Sequence, residues 1–285
     1  MTRKKKRVII VLSVLLTLLL AFSAWVIWSN KALELNSHTL KYKDLPDEFD
    51  GFRIAQVSDL HNAQMGDNNE KLLEMIEEAD PDMIALTGDL IDARNTDVKV
   101  ALDFAENALK IAPCYFVTGN HEARSEEYDK LKKGLLDLGV VVLENAAAEI
   151  ERDGEKITVI GANDPSSGTD YMYSTEERTM QSFLKDYKDN DGNFTLLLSH
   201  RPELFNVYAD NNVDLVLSGH AHGGQIRLPF LGGLFAPNQG MLPDYDAGKY
   251  SKGGTTMIVS RGIGNSAFPV RFNNRPEVVL IELEN

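Results

Sequence analysis

Five short apolar runs in this chain stop at residues that carry lone pairs. The run at 53–57 ends in Ser58-Asp59-Leu60-His61, and that at 83–86 ends in Thr87-Gly88-Asp89. The run at 115–118 ends in Gly119-Asn120-His121-Glu122, that at 194–198 in Ser199-His200, and that at 213–217 in Ser218-Gly219-His220-Ala221-His222. Runs this short and this apolar read as strands buried on both faces. Helical patterns stand between them. Residues 69–79 carry Leu72, Leu73 and Ile76 at helical spacing, residues 98–111 are amphipathic, and 125–138 runs from a candidate cap at Ser125 to a stop at Gly139. Further helices are expected at 175–187 and, led by Pro202, at 202–209. Strands alternating with helices predict an α/β fold, and in such sheets ligands bind beyond the carboxyl ends of the strands.

Other strands are expected near 39–43, 140–143, 149–152, 156–160, 256–259 and 277–282, with Asp153-Gly154 as a hairpin turn. The chain has six histidines, and five follow one of the apolar runs. His38 precedes them and is expected to be unrelated. Imidazole, carboxylate and amide donors together suit first-row divalent metals. Gly219, Gly223 and Gly224 surround His220 and His222 and let backbone approach a ligand closely. The single cysteine, Cys114, excludes an intramolecular disulfide and a cysteine-based zinc or iron–sulfur site, and is expected in the core. No G-x-S-x-G elbow surrounds Ser199, Ser218 or Ser260, which counts against a serine hydrolase. Residues 262–267 fit G-x-G-x-x-A, but Pro269 stops any following helix, so a tight turn near the metals is expected there instead.

In order, these blocks read D-x-H, G-D, G-N-H-E, a lone His and G-H-x-H. The set resembles the calcineurin-like metallophosphoesterases at every block from Asp59 to His222, and the flanking strands extend the likeness to roughly residues 50–285. The resemblance implies two mixed β-sheets packed face to face with helices outside. It also implies two divalent metal ions, Mn, Fe or Zn, about 3.5–4 Å apart, able to clamp a phosphoryl group and activate water. Asp59, His61 and His222 would hold the first metal, Asn120, His200 and His220 the second, and Asp89 would bridge them. His121 stands at the family's usual general-acid position. Glu122 would orient it or stand exposed at a helix start; Asp92 would orient a ligand or lie on the surface. The subgroup this chain looks most like is the bacterial membrane-anchored phosphohydrolases, related to UDP-2,3-diacylglucosamine hydrolases. Substrate identity does not carry over from that likeness.

Residues 8–28 are 21 consecutive uncharged residues, enough to cross a bilayer core at about 20 residues per span. Trp25 and Trp28 sit at the far end, and Arg3, Lys4, Lys5, Lys6 and Arg7 precede the span. The positive-inside rule then puts residues 1–7 in the cytoplasm and the body outside, as a single-pass protein of the cell membrane. The rival is a signal peptide cleaved near Ala21-Phe22-Ser23, but apolar sequence continues to Trp28. Residues 29–50 read as a stalk and first strand, and 51–285 as the catalytic domain. Net charge is −14; with five basic groups and no acid in 1–30, residues 31–285 carry 24 basic against 43 acidic groups, a balance of −19. Such a body repels nucleic acid, so no nucleic-acid binding is expected, and the sequence points to no protein partner.

Arg201 and Arg261 are candidate phosphate contacts, and Asn163 and Asp164, in a polar loop at 162–173, candidate site borders. Residues 228–237 are apolar and rich in Gly and Pro. Phe230, Leu231, Leu234 and Phe235 there could hold the lipid of an amphiphilic substrate. The expected function is two-metal hydrolysis of a phosphate ester, lipid-linked or from the cell envelope. The alternatives are a general phosphodiesterase or phosphatase tethered for location only, and a catalytically silent metal-binding module.

Overall fold

The computed structural model describes residues 2–165, 173–187, 193–265 and 268–285. Ser166, Ser167 and Gly168 of the expected polar loop lie outside them. The chain begins with one long helix, α1 (Arg3–Lys31), which joins the basic cluster to the apolar stretch. β1 (Glu34–Lys41) follows almost at once, earlier than the expected strand at 39–43. The first half continues as β2 (Arg53–Val57), α2 (Glu70–Glu78), β3 (Met83–Leu86), α3 (Val98–Ala108), β4 (Cys114–Phe116), α4 (Asn120–Arg124), α5 (Tyr128–Leu138) and β5 (Val141–Val142). The expected helix at 125–138 begins only at Tyr128, and a separate short helix, α4, precedes it. Ser125 ends α4, and its Oγ accepts the Glu127 N–H at 3.2 Å. Gly139 stops α5 with φ of 98°.

The second half runs β6 (Ala146–Arg152), β7 (Glu155–Gly161), α6 (Tyr173–Lys185), β8 (Thr195–Leu198), α7 (Phe205–Asp210) and β9 (Leu215–Ser218). Four two-residue strands follow: β10 (Arg227–Leu228), β11 (Gly232–Gly233), β12 (Phe235–Ala236) and β13 (Gly240–Met241). β14 (Gly248–Lys252), β15 (Thr255–Val259) and β16 (Glu277–Glu284) complete the chain. Asp153 and Gly154 turn β6 into β7 with φ of 51° and 95°, as a primed hairpin turn requires.

Two six-stranded sheets result, ordered β1-β16-β2-β3-β4-β5 and β14-β15-β9-β8-β7-β6. Both are mixed: β16 is antiparallel to β2, and the β6–β7 and β14–β15 pairs are antiparallel, while the central strands run parallel. The period of two explains how one apolar run serves two layers. Ile54 and Ala85 face the space between the sheets, together with Leu196, Leu198, Leu215 and Leu217. Ala55, Ile84 and Leu86 face outward, under α2, α3 and α5. Leu197 and Val216 face the other way, under α6 and α7. The architecture is an α/β sandwich of four layers. Cys114 is buried in it, and burial pushes its thiol up to about 12.

Candidate metal centre

Because β2, β3 and β4 are parallel in one sheet and β8 and β9 in the other, their carboxyl ends open on one edge of each sheet. The two edges are tied together. Gln56 Nε2, at the end of β2, donates to Thr87 Oγ1 at 3.1 Å and across to the Ser218 carbonyl at 2.9 Å. The Asp59 carboxylate accepts the His220 N–H at 3.2 Å. Residues far apart in sequence therefore meet in one place.

The local backbone is under strain there. Asp59, His61, Asp89, His220 and His222 have φ of 52°, 46°, 54°, 65° and 49°, in the left-handed region. Each costs about 1–2 kcal/mol for a residue with a Cβ, so the surrounding fold, rather than local preference, holds these turns. Two glycines make room. A Cβ on Gly119 would overlap the Asp89 carboxylate, and one on Gly219 would overlap Ser58 Oγ and Asp59.

Three groups of donor atoms converge: Asp59 with His61 and His222, Asp89 with His200 and His220, and His61 with Asp92 and His121. In the first, His61 Nε2 is 3.2 Å from His222 Nε2, and Asp59 Oδ1 is 3.3 Å from His222 Nε2. In the second, Asp89 Oδ2 is 3.2 Å from His200 Nε2. The same Oδ2 is 3.5 Å from His61 Nε2, so Asp89 belongs to both. Asn120 Oδ1 and His200 Nε2 are buried with no hydrogen-bond partner in the protein. Buried polar atoms are rarely left so, and acceptors of this kind fit a cation. His200 Nδ1 lies 2.8 Å from the Thr87 carbonyl, so in the neutral ring the proton sits on Nδ1 and Nε2 is the acceptor. His220 Nε2 meets Asn238 Oδ1 at 3.2 Å, leaving Nδ1 as its donor atom.

The electrostatics agree with a site built for positive charge. Burial lowers His61 to about 4 and holds His220 and His222 well below the usual imidazole range, so all three are neutral donors near pH 7. Burial raises Asp59 to about 6. His200 is the exception: burial opposes its charge, but Asp89 and Asp59 outweigh it and raise it to about 10. Burial also works against the Asp89 charge, yet His200 and its neighbouring imidazoles hold it well below the carboxylate range.

His121 is placed by two neighbours. Its Nδ1 accepts the Ala93 N–H at 3.0 Å, so in the neutral ring the proton sits on Nε2. Asp92 Oδ1 lies 3.6 Å from the same Nδ1. Burial disfavours the Asp92 charge, but the Arg94 guanidinium bonds both its oxygens and holds it at about 2. Glu122 is neither exposed nor turned to His121. It is 1% exposed and accepts the N–H groups of Asp89 (2.7 Å), Gly119 (2.7 Å) and Ile91 (3.2 Å). It thus pins the Asp89 turn to the Asn120 turn. Burial and the nearby Asp89 charge push it up to about 7.

Residues 52–224 match the calcineurin-like phosphoesterase family. The chain belongs to that family. This metallophosphoesterase is a hydrolase of phosphoric esters. It is similar to an uncharacterized metallophosphoesterase, YkuE of Bacillus subtilis, with 32% identity over 260 residues, 89% of this chain and 86% of that one. It is also similar to phosphodiesterase YaeI of Escherichia coli, 28% identical over 255 residues, 88% of each chain. Among solved structures, TT1561 of Thermus thermophilus shares the fold, with a TM-score of 0.52 at 14% identity over 75% of this chain and 90% of that one.

A cavity of 290 Å³ opens over the phosphoesterase centre. Asp89, Asn120, His121, His220 and His222 line it, with Arg94, Arg124, Pro237 and Asn238 at its walls. The expected substrate contacts are not among these residues. Arg201 is 1% exposed and gives Nε and Nη2 to Asp164 (2.5 and 2.9 Å) and Nη1 to Glu203 (3.1 Å). Arg261 is bound to Glu277 at 2.7 Å and Glu34 at 2.8 Å. A buried guanidinium needs partners for its charge and its N–H groups, and in these two carboxylates supply them. Asn163 borders a separate cavity beside Glu122 and Glu144. Phe230 and Leu231 are exposed and do not line the centre. His38 lies on the edge strand β1.

Sequence reasoning missed Arg94, Arg124 and Asn238. Arg94 and Arg124 each follow a recognised block by a few residues, and in a body this acidic that position was the available signal. It also missed Arg271, fully buried, whose guanidinium binds the carbonyls of Arg261 (2.9 Å) and Gly264 (2.5 Å). That braces the expected tight turn, where the Ile263 and Gly264 N–H groups bond the Ser58 and Asp59 carbonyls at 3.0 and 2.7 Å.

Proposed function

We propose that this phosphoesterase hydrolyses a lipid-linked or envelope phosphate ester at a pair of divalent cations, on the outer side of the membrane that α1 crosses. The observation that carries the two-metal reading is the position of Asp89 Oδ2, 3.5 Å from His61 Nε2 of one donor group and 3.2 Å from His200 Nε2 of the other. Asp59, His61 and His222 would hold one cation and Asn120, His200 and His220 the other, with Asp89 serving both. The donor chemistry accepts Mn, Fe or Zn. When bound, two such ions supply Lewis acidity toward the phosphoryl oxygens and lower the pKa of water. His121 offers its Nε2 proton to the departing oxygen, and the Ala93 N–H and Asp92 hold the ring in position. Arg94 and Arg124 place positive charge at the cavity, which an anionic ester entering a −19 body requires.

The lipid reading is supported by the wall of the cavity. Pro237 and Asn238 belong to the turn between β12 and β13, and the same segment carries Phe230, Leu231, Leu234 and Phe235. The outward topology is supported by the basic cluster ahead of the apolar span.

The two-metal reading is tested by metal analysis of the purified chain joined to a panel of lipid and nucleotide phosphodiesters. Two transition-metal ions per chain and loss of turnover on chelation are expected. Active protein that carries no metal and ignores chelators overturns it. For the substrate class, replacing Phe230, Leu231, Leu234 and Phe235 by Ser is expected to lower turnover of a lipid phosphodiester while sparing a soluble one. Equal effects on both would leave the lipid without support.

A further inference from the structure

Outside α1, nine large apolar side chains are exposed among the described residues, and seven of them fall at 230–242 or 268–270. Phe230 is fully exposed, Leu231 63%, Phe268 51% and Val270 36%. Residues 228–242 and 262–270 contain no charged side chain, in a chain that is 25% charged. A dispersed exposed Leu needs no explanation, but a gathered set does. The two segments are joined. Gln225 Nε2 donates to the Phe268 and Val270 carbonyls at 2.7 and 3.2 Å, and the Arg227 N–H bonds the Phe272 carbonyl at 3.0 Å.

They also adjoin α1. Asn30 Nδ2 donates to the Arg271 carbonyl and Asn30 Oδ1 accepts the Arg271 N–H, both at 2.9 Å. The Arg275 guanidinium lies 4.9 Å over the Trp28 ring. The Phe22 and Phe272 rings are 5.8 Å apart. Phe22 stands six residues before Trp28, about 9 Å along the helix axis. If Trp28 marks the bilayer interface, Phe272 is carried below it, to the depth at which interfacial apolar groups bury.

We propose that the uncharged segments 228–242, 262–265 and 268–270 form a bilayer-inserting face that seats the catalytic domain on the membrane its own helix crosses. The occupant is lipid rather than protein because the face continues from the apolar helix and lacks the charged residues that give a protein partner its register. The absence of Lys and Arg makes the contact apolar and independent of anionic lipid. The metal cavity, walled by Pro237 and Asn238 of the same face, then opens at the lipid surface. This rests on α1 as a membrane span, and goes beyond the lipid-substrate reading, since a docked enzyme can act on any ester presented there.

The full chain is reconstituted in vesicles of phosphatidylethanolamine and phosphatidylglycerol with brominated acyl chains. Phe230→Cys and Phe268→Cys, each labelled with an environment-sensitive fluorophore, are compared with Leu136→Cys on α5, an exposed apolar site outside the face. Cys114 is buried and does not compete for label. Blue-shifted emission, quenched by brominated lipid at 230 and 268 and unquenched at 136, is expected, unchanged when phosphatidylglycerol is omitted. Emission at 230 and 268 equal to that at 136, in protein that resists alkaline extraction, overturns the docking face and leaves the span standing. Extraction at alkaline pH overturns the span instead. A blue shift without lipid quenching overturns the choice of lipid and assigns the face to a protein or a second copy. Serine at 230 and 268 separates docking from a substrate subsite: loss of docking slows turnover of vesicle-borne lipid and spares the same lipid in detergent, whereas loss of a subsite slows both.

Discussion

Asp89→Asn is expected to lower phosphodiester turnover by at least about 10³-fold, the loss of several kcal/mol of transition-state stabilisation at ~1.4 kcal/mol per tenfold. The substitution keeps size and shape but removes the charge. Asp89 Oδ2 is the one carboxylate oxygen within 3.5 Å of imidazole nitrogens from both donor groups, while Oδ1 is held by the His121 N–H at 2.8 Å. With amide in place of carboxylate, two cations in adjacent sites face each other with nothing between to offset their repulsion. Metal content should therefore fall together with rate. Steady-state turnover with Mn²⁺, metal analysis and a thermal melt on the same preparation check it. A variant that keeps its fold and the wild-type rate would show that this centre does not run the reaction, and would favour a silent metal-binding module.

His121→Asn should separate chemistry from metal binding. His121 groups with His61 and Asp92 rather than with the two groups that share Asp89, so metal content at those two should hold. Its Nε2 proton serves a leaving oxygen that needs one. Loss of a positioned general acid costs about 10²–10⁴-fold, and that drop is expected with an alkyl leaving group. An aryl leaving group that departs as a stable anion should show little change. An equal fall with both leaving groups would sink the assignment and make His121 a positioning residue or a ligand.

Much of this centre was legible before any tertiary contact was known. Each ligand candidate follows an apolar run too short for a helix and too apolar for a surface strand, and parallel strands must end on one edge. The alternation that puts Ile84 on one side of β3 and Ala85 on the other follows from strand geometry, whereas the pair of packed sheets was what the family resemblance implied. Glu122 was not legible, since a glutamate at a helix start is ordinarily exposed. Gly119, at the start of its own helix, supplies one N–H, and only the approach of the Asp89 turn supplies the other two that make it a buried clamp. Arg201 and Arg261 were misread for the matching reason. A lone Arg after a strand looks free in sequence, and its carboxylate partners are up to 227 residues away.

The identity and order of the donor residues, the alternation of strand and helix, and the apolar stretch ahead of the domain were properties of the sequence alone, because each is a local pattern with its own period and stop signals. Tertiary structure decided the rest. It inserted β16 between β1 and β2, and it folded four minute strands into the wall of the cavity. It forced Asp59, His61, Asp89, His220 and His222 into left-handed turns that none of them prefers. Those choices depend on which surfaces meet and which buried polar groups need partners, and that is a balance between distant parts of the chain.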